Sequence, residues 1–144
     1  MGKLAQRLSD ASRSGVYRTR QTAEVEDAVR GTRLDLAHAD LGGADSKEAM
    51  LERLALALGF PAWFGGNWDA LEDCLGDLGW RAGDGHVFLF TGHEDLPADD
   101  LGVLLDVLAS SAAYWAERGR PFFAVFVDAK HALALPELFR PKSE

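Results

Sequence analysis

The sequence predicts an α/β fold, a small parallel sheet of three strands covered by helices. Val87–Phe90 and Phe122–Val127 are unbroken apolar runs rich in Phe and Val. That is the pattern of strands buried on both faces of a parallel sheet. Helical periodicity fills the stretches between strand candidates, as it must, because parallel neighbours cannot be joined by a tight turn. The size agrees: 144 residues suit one domain, and 47% hydrophobic residues supply one core.

The elements follow in order. Residues 1–31 read as an N-terminal extension. Within it Met1–Ser14 has weak periodicity and is expected to pack loosely, Gly15–Thr19 reads as an edge strand, and Thr22–Val29 as a short helix. The main domain is expected over residues 32–135. Arg33–Ala37 opens it as a strand, with Leu34 and Leu36 on one side. Lys47–Leu58 sets Leu51, Leu54, Ala55 and Leu58 on one helical stripe, with Asp45 or Ser46 as N-cap and Gly59 as the stop. A second helix opens at Asn67, after the Gly65–Gly66 turn. Leu101, Leu104, Leu105, Leu108, Ala112 and Trp115 mark the last helix, closed by Gly119 and Pro121. Residues 136–144 read as a frayed tail.

Charge narrows the function classes. The formal net charge is −8, and residues 61–106 hold ten acids against a single base, Arg81. An acidic chain of this kind is no general nucleic-acid binder, which needs a basic footprint. It suits a basic protein partner. No stretch approaches the roughly 20 apolar residues that span a bilayer, and no apolar run of signal-peptide type follows Lys3, Arg7 and Arg13. The expectation is a cytoplasmic protein, free of membranes and monomeric until it meets its partner. Cys74 is the one cysteine, so neither an intrachain disulfide nor a thiolate metal cage can form.

The informative segment is Phe60–Trp80, FPAWFGGNWDALEDCLGDLGW. Leu71, Cys74, Leu75 and Leu78 recur at helical spacing and are expected to face the core. Asp69, Glu72 and Asp73 then share the opposite face, with Gly76 among them. Carboxylates at i, i+3 and i+4 repel and weaken a helix. No Lys or Arg interrupts them, although solvated faces usually mix signs. Gly76 is a poor helix former there, yet it lets another surface approach closely. Trp63, Phe64 and Trp80 flank the helix and offer the aromatic anchors that interfaces favour. Each aromatic taken alone also suits a core, Phe64 most of all.

No enzyme is read from the chain. His86, His93, Glu94 and Asp95 could be drawn as a metal or acid–base cluster, but the histidines are separated by a strand rather than paired on a helix. Cys74 falls on the apolar stripe and reads as a packing residue. Gly83-Asp84-Gly85 leads into a strand instead of out of one, so it is not a phosphate loop. No metal and no cofactor is expected.

The segment FPAWFGGNWDALEDCL closely resembles the matching segment of the barstar family, intracellular inhibitors of ribonucleases. The shared signature is a Pro, two aromatics, Gly, a variable residue, Asn, an apolar residue, then Asp-Ala-Leu-x-Asp-Cys-Leu. The resemblance implies a small three-layer barstar-like fold in which this helix and its preceding loop plug a ribonuclease active site. The partner it implies is a basic, secreted, guanyl-preferring ribonuclease or a ribonuclease toxin domain. By resemblance, Trp63 packs near the enzyme's catalytic histidine, Asp73 enters the phosphate site, and Asp69 makes a salt bridge. Asn67 matches the helix-opening Asn, and Trp80 stands near a Trp that follows the helix. Glu72 replaces a Trp that packs on the enzyme, and Gly76 replaces a hydrogen-bonding Thr. Tyr114 stands where the last helix carries an acid, with Glu117 one turn away. These departures leave room for a different basic toxin as the partner.

Overall fold

The computed structural model describes residues 2–140. Helix α1 spans Lys3–Leu8, strand β1 Gly15–Thr19, α2 Ala23–Val29 and β2 Asp35–Asp40. They are followed by α3 Lys47–Leu58, α4 Trp68–Asp77, β3 His86–Thr91, α5 Ala98–Glu117 and β4 Phe122–Val127. All strand pairs are parallel, in the order β1-β4-β3-β2. The two apolar runs therefore occupy the centre, as their composition predicted. Side chains alternate between faces along each strand. Phe88, Phe90, Phe122, Ala124 and Phe126 pack beneath α3, α4 and α5, while Val87, Leu89, Phe123 and Val125 pack with Leu4, Leu8, Val25 and Val29 of α1 and α2. Helices cover both faces of the sheet, giving three layers. Among the described residues no helix is long and apolar enough to cross a membrane.

Three expectations need correction. The sheet has four strands rather than three, because the edge strand at Gly15–Thr19 pairs with β4 along its whole length. Met1–Ser14 was expected to pack loosely, yet α1 buries Leu4, Ala5 and Leu8, with Leu8 fully enclosed. A six-residue helix shows too little periodicity to be recognised, but its i, i+4 leucines suffice to cover the sheet. The tail does not fray from residue 136. Arg18 N–H donates to the Pro136 carbonyl and Leu138 N–H to the Arg18 carbonyl, both at 2.9 Å, and Leu138 is buried. This short pairing covers the outer edge of β1, which otherwise presents unsatisfied backbone groups. Residues 141–144 of that expected tail lie outside the described residues.

The first strand of the main domain runs two or three residues later than its alternation suggested, over Asp35–Asp40 instead of Arg33–Ala37. Leu34 and Leu36 still share a face, packing toward α1 and α2. Ser46 is the N-cap of α3, its Oγ accepting from Ala49 N–H, and Gly59 ends that helix at a φ of 66°.

Candidate partner-binding site

Helix α4 is placed by its apolar stripe. Leu71, Cys74 and Leu75 are buried, and Leu78 is buried just beyond the last turn. Asn67 caps the helix, its Oδ1 accepting from Ala70 N–H at 2.8 Å. Leu78 closes it in the left-handed region at a φ of 54°, where glycine is usual. Burial of its side chain against the core holds it there. The indole N–H of Trp115 on α5 donates to the Leu75 carbonyl at 2.8 Å and locks the two helices together.

With that stripe inside, Asp69, Glu72 and Asp73 are exposed, as the helical geometry required. Among the described residues none of the three has a cationic partner. The repulsion among them is thus left unrelieved by any ion pair among the described residues. Burial, and then the charges of Asp73 and Asp77, push the Cys74 thiol up, which makes it a poor nucleophile.

Arg81, the one base of the central stretch, is turned away from this face. Its guanidinium donates to both Asp35 oxygens, Nε at 2.7 Å and Nη2 at 2.9 Å, and Nη1 donates to the Leu58 carbonyl. His86 Nδ1 lies 2.8 Å from Asp35 Oδ2. Burial alone would raise the Asp35 carboxyl, but hydrogen bonds from His86 and Arg81, with their charges, hold it below the ordinary range. A carboxyl lowered on folding stabilises the fold above its unfolded pKa of about 4 and loses that contribution as pH falls through the folded value. The melting-temperature gap between wild type and Asp35→Asn is therefore expected to be widest near neutrality and to close below about pH 4. A gap that is constant from pH 7 to pH 3 would show that the ionised carboxylate adds nothing.

The same arrangement sets the aromatic loop. Trp80 Nε1–H shares the Leu58 carbonyl with Arg81, at 3.0 Å. Trp80 is half-buried, and its ring meets Phe60 at 6.1 Å and Trp63 at 6.3 Å, both edge-on. Phe64 packs on Phe60 at 4.9 Å and faces the core cluster. Trp63 stands out at 55% exposed. A tryptophan left that open on a supported aromatic cluster is a ready anchor for another surface.

Glu72, Asp73 and Gly76 form one wall of a groove of about 390 Å³, and Ser110, Ser111 and Tyr114 of α5 form the other. Nothing lies within 4 Å of where a Gly76 Cβ would sit. Tyr114 is 40% exposed and carries the Arg118 guanidinium 3.5 Å over its ring. The groove joins Glu72, Asp73 and Gly76; Asp69 sits one turn earlier on the same helix, and Trp63 and Asn67 lie in the loop before it. Trp80 supports Trp63 from behind. Glu117 is exposed in the last turn of α5 and does not line the groove. Sequence reasoning missed Ser110 and Arg118, although the i, i+4, i+8 spacing of Ser110, Tyr114 and Arg118 marks one helix face.

His86 and His93 sit at opposite ends of β3, one within the Asp35–Arg81 cluster and the other 3.5 Å from Asp128. Among the described residues no group of His, Cys, Asp and Glu is arranged to hold a metal. No curated protein matches the chain. The sequence profile of a family of inhibitors, described as Barstar (barnase inhibitor), matches residues 34–127, from just before β2 to the end of β4. That stretch holds α3, the aromatic loop, α4 and α5, and it exceeds half of the 144 residues: the chain belongs to the barstar family.

Proposed function

We propose that this protein is a cytoplasmic inhibitor of a basic, guanyl-preferring ribonuclease, acting as an immunity protein that blocks the enzyme's active site with α4 and the loop before it. The observation that carries this reading is the unpaired acidic face of Asp69, Glu72 and Asp73 beside the exposed Trp63. A ribonuclease gathers Arg, Lys and His around the phosphate it cleaves. Carboxylates held on a rigid helix take the place of that phosphate as charge-assisted acceptors. Trp63 buries against the rim of the enzyme, Gly76 lets the partner's backbone come close, and the Asn67 side chain keeps α4 capped as it docks. The free protein is a monomer.

A second reading is favoured by Glu72 and Tyr114, which by resemblance stand where the family's ribonuclease inhibitors carry a Trp and an acid, and which leave room for a different basic toxin bound through the same face. Inhibition assays separate the two. RNA cleavage by purified guanyl-preferring ribonucleases is measured while this protein is titrated in, and stoichiometric loss of activity is the expected result. If none is inhibited, but a basic nuclease of another class is bound, the second reading replaces the first.

Association should also depend on salt. Exposed charges are screened beyond roughly 8 Å at physiological ionic strength, so the on-rate is expected to fall steeply as salt rises. An on-rate that stays flat between low and high salt, read by stopped-flow Trp fluorescence, would contradict charge steering.

A further inference from the structure

A second site lies at the C-terminal end of β1, away from the acidic helix. Arg18, Arg20 and Arg140 converge there with His131 on a pocket of about 430 Å³, in a chain whose net charge is −8.

The polar groups of this pocket are arranged for an anion. Arg18 is held by its Nε–H, which donates to the Leu135 carbonyl at 2.8 Å, and its Nη1 lies 3.4 Å from His131 Nε2. His131 reaches that place only with a φ of 55°, a conformation L-residues seldom adopt. Arg18 Nη1, which can only donate, and the ring nitrogen of His131 are thus held within hydrogen-bond distance on the pocket wall. Glu137 already serves as an internal anion, lying 3.4 Å from Arg18 Nη2 and 3.2 Å from Arg140 Nε. The hydrogen bond from Arg140, opposed by burial, and then the charges of Arg140, Arg18 and His131 hold its carboxyl below the ordinary range. Arg20 is exposed and has no partner among the described residues. Glu24 lines the opposite rim and opposes an incoming anion. The half-buried ring of Phe139 completes the wall.

We infer that this pocket binds a small phosphate monoester, with Arg20 and Arg140 clamping the phosphate, Arg18 and His131 behind it, and Phe139 offering its face to a planar base. Guanidinium groups match phosphate oxygens in pairs, and an aromatic face accepts any base by stacking. A mononucleotide satisfies both, and the pocket falls in the size range of small-molecule sites. The inference goes beyond ribonuclease inhibition and involves no residue of the α4 face.

The test titrates the full-length protein, free of any ribonuclease, with inorganic phosphate and with guanosine and adenosine monophosphates at constant ionic strength. Calorimetry and the His131 ring resonances are the readouts. Saturable one-site binding is expected, tighter for either nucleotide than for phosphate. Arg20→Ala, which removes a side chain with no partner among the described residues, should weaken both classes at least about tenfold, as loss of one charge-assisted contact implies. Phe139→Leu should weaken the nucleotides alone. Arg30→Ala, on α2 and outside the pocket, should change nothing. Absence of saturable binding, equal weakening by Arg30→Ala, or indifference to Arg20→Ala would overturn the proposal. Because no ribonuclease is present, failure here leaves the inhibitor reading untouched.

Discussion

Asp73→Ala is expected to abolish tight inhibition while leaving the fold intact. Asp73 is exposed and lines the groove opposite Tyr114, and among the described residues it pairs with no cationic group. Truncating it opens no core cavity, since the buried side of α4 consists of Leu71, Cys74 and Leu75. It also relieves like-charge repulsion from Asp69 and Asp77, four residues away on either side, each pair being worth about 0.2–0.5 kcal/mol. Alanine is in addition the better helix former. The free protein should therefore melt at the same temperature or slightly higher. In the complex proposed above, the same change would leave the ribonuclease's phosphate-site cations buried without an acceptor. Removing one partner of a buried ion pair costs roughly 3–5 kcal/mol, or about a hundred- to several-thousand-fold in affinity. The measurement pairs thermal melts with inhibition constants against the cognate enzyme. If Asp73→Ala inhibits as well as the parent, α4 is not the element that fills the active site.

What the sequence discloses about this site is set by how local each feature is. The acidic face was legible because a helix converts spacing into direction: once Leu71, Cys74 and Leu75 point inward, Asp69, Glu72 and Asp73 must point out. Asn67 was legible as a cap for the same reason, since its role is completed within three residues. The central strands announced themselves by lacking any polar face. The α5 wall of the groove was not legible. Ser110 and Tyr114 share a groove with Glu72 and Asp73 because α4 and α5 pack together through a common core, with Trp115 hydrogen-bonded to Leu75 across forty residues of chain. The cluster of Asp35, Arg81 and His86 likewise joins positions 46 and 51 residues apart. Arg81 read as a lone base in an acidic stretch, when its charge is matched by a carboxylate from the first strand of the main domain. The end of α4 shows the limit from the other side. Leu78 takes the left-handed position where glycine is usual, because the core needs its side chain and tertiary packing outweighs the local preference.

Gly92→Ala is expected to be the most damaging single-methyl change in the chain. Gly92 follows β3 at a φ of 75°, and a Cβ built on it would lie 2.3 Å from the Gly42 nitrogen and 2.5 Å from the Gly42 Cα. Both contacts are with backbone, so no side chain can swing aside. The neighbouring segment is itself pinned: Leu41 N–H donates to the Thr91 carbonyl, Gly42 N–H to Asp40 Oδ1, and Arg53 to the Gly42 carbonyl. Relief requires β2 and β3 to part at their C-terminal ends, breaking part of this network, and the left-handed backbone adds its own penalty of about 1–3 kcal/mol for a residue with a Cβ. Overpacking against an unyielding wall costs another 1–3 kcal/mol or more. The sum, about 4 kcal/mol, is a large share of the roughly 5–15 kcal/mol that holds a typical domain together. Gly76→Ala provides the contrast, because its Cβ meets nothing within 4 Å on a helix. That change should raise stability by up to about 1 kcal/mol. Melts of the two variants should therefore move in opposite directions, with Gly92→Ala falling by more than about 10 °C. A Gly92→Ala protein that melts with the parent would mean that the ends of β2 and β3 do not approach as closely as their backbones indicate.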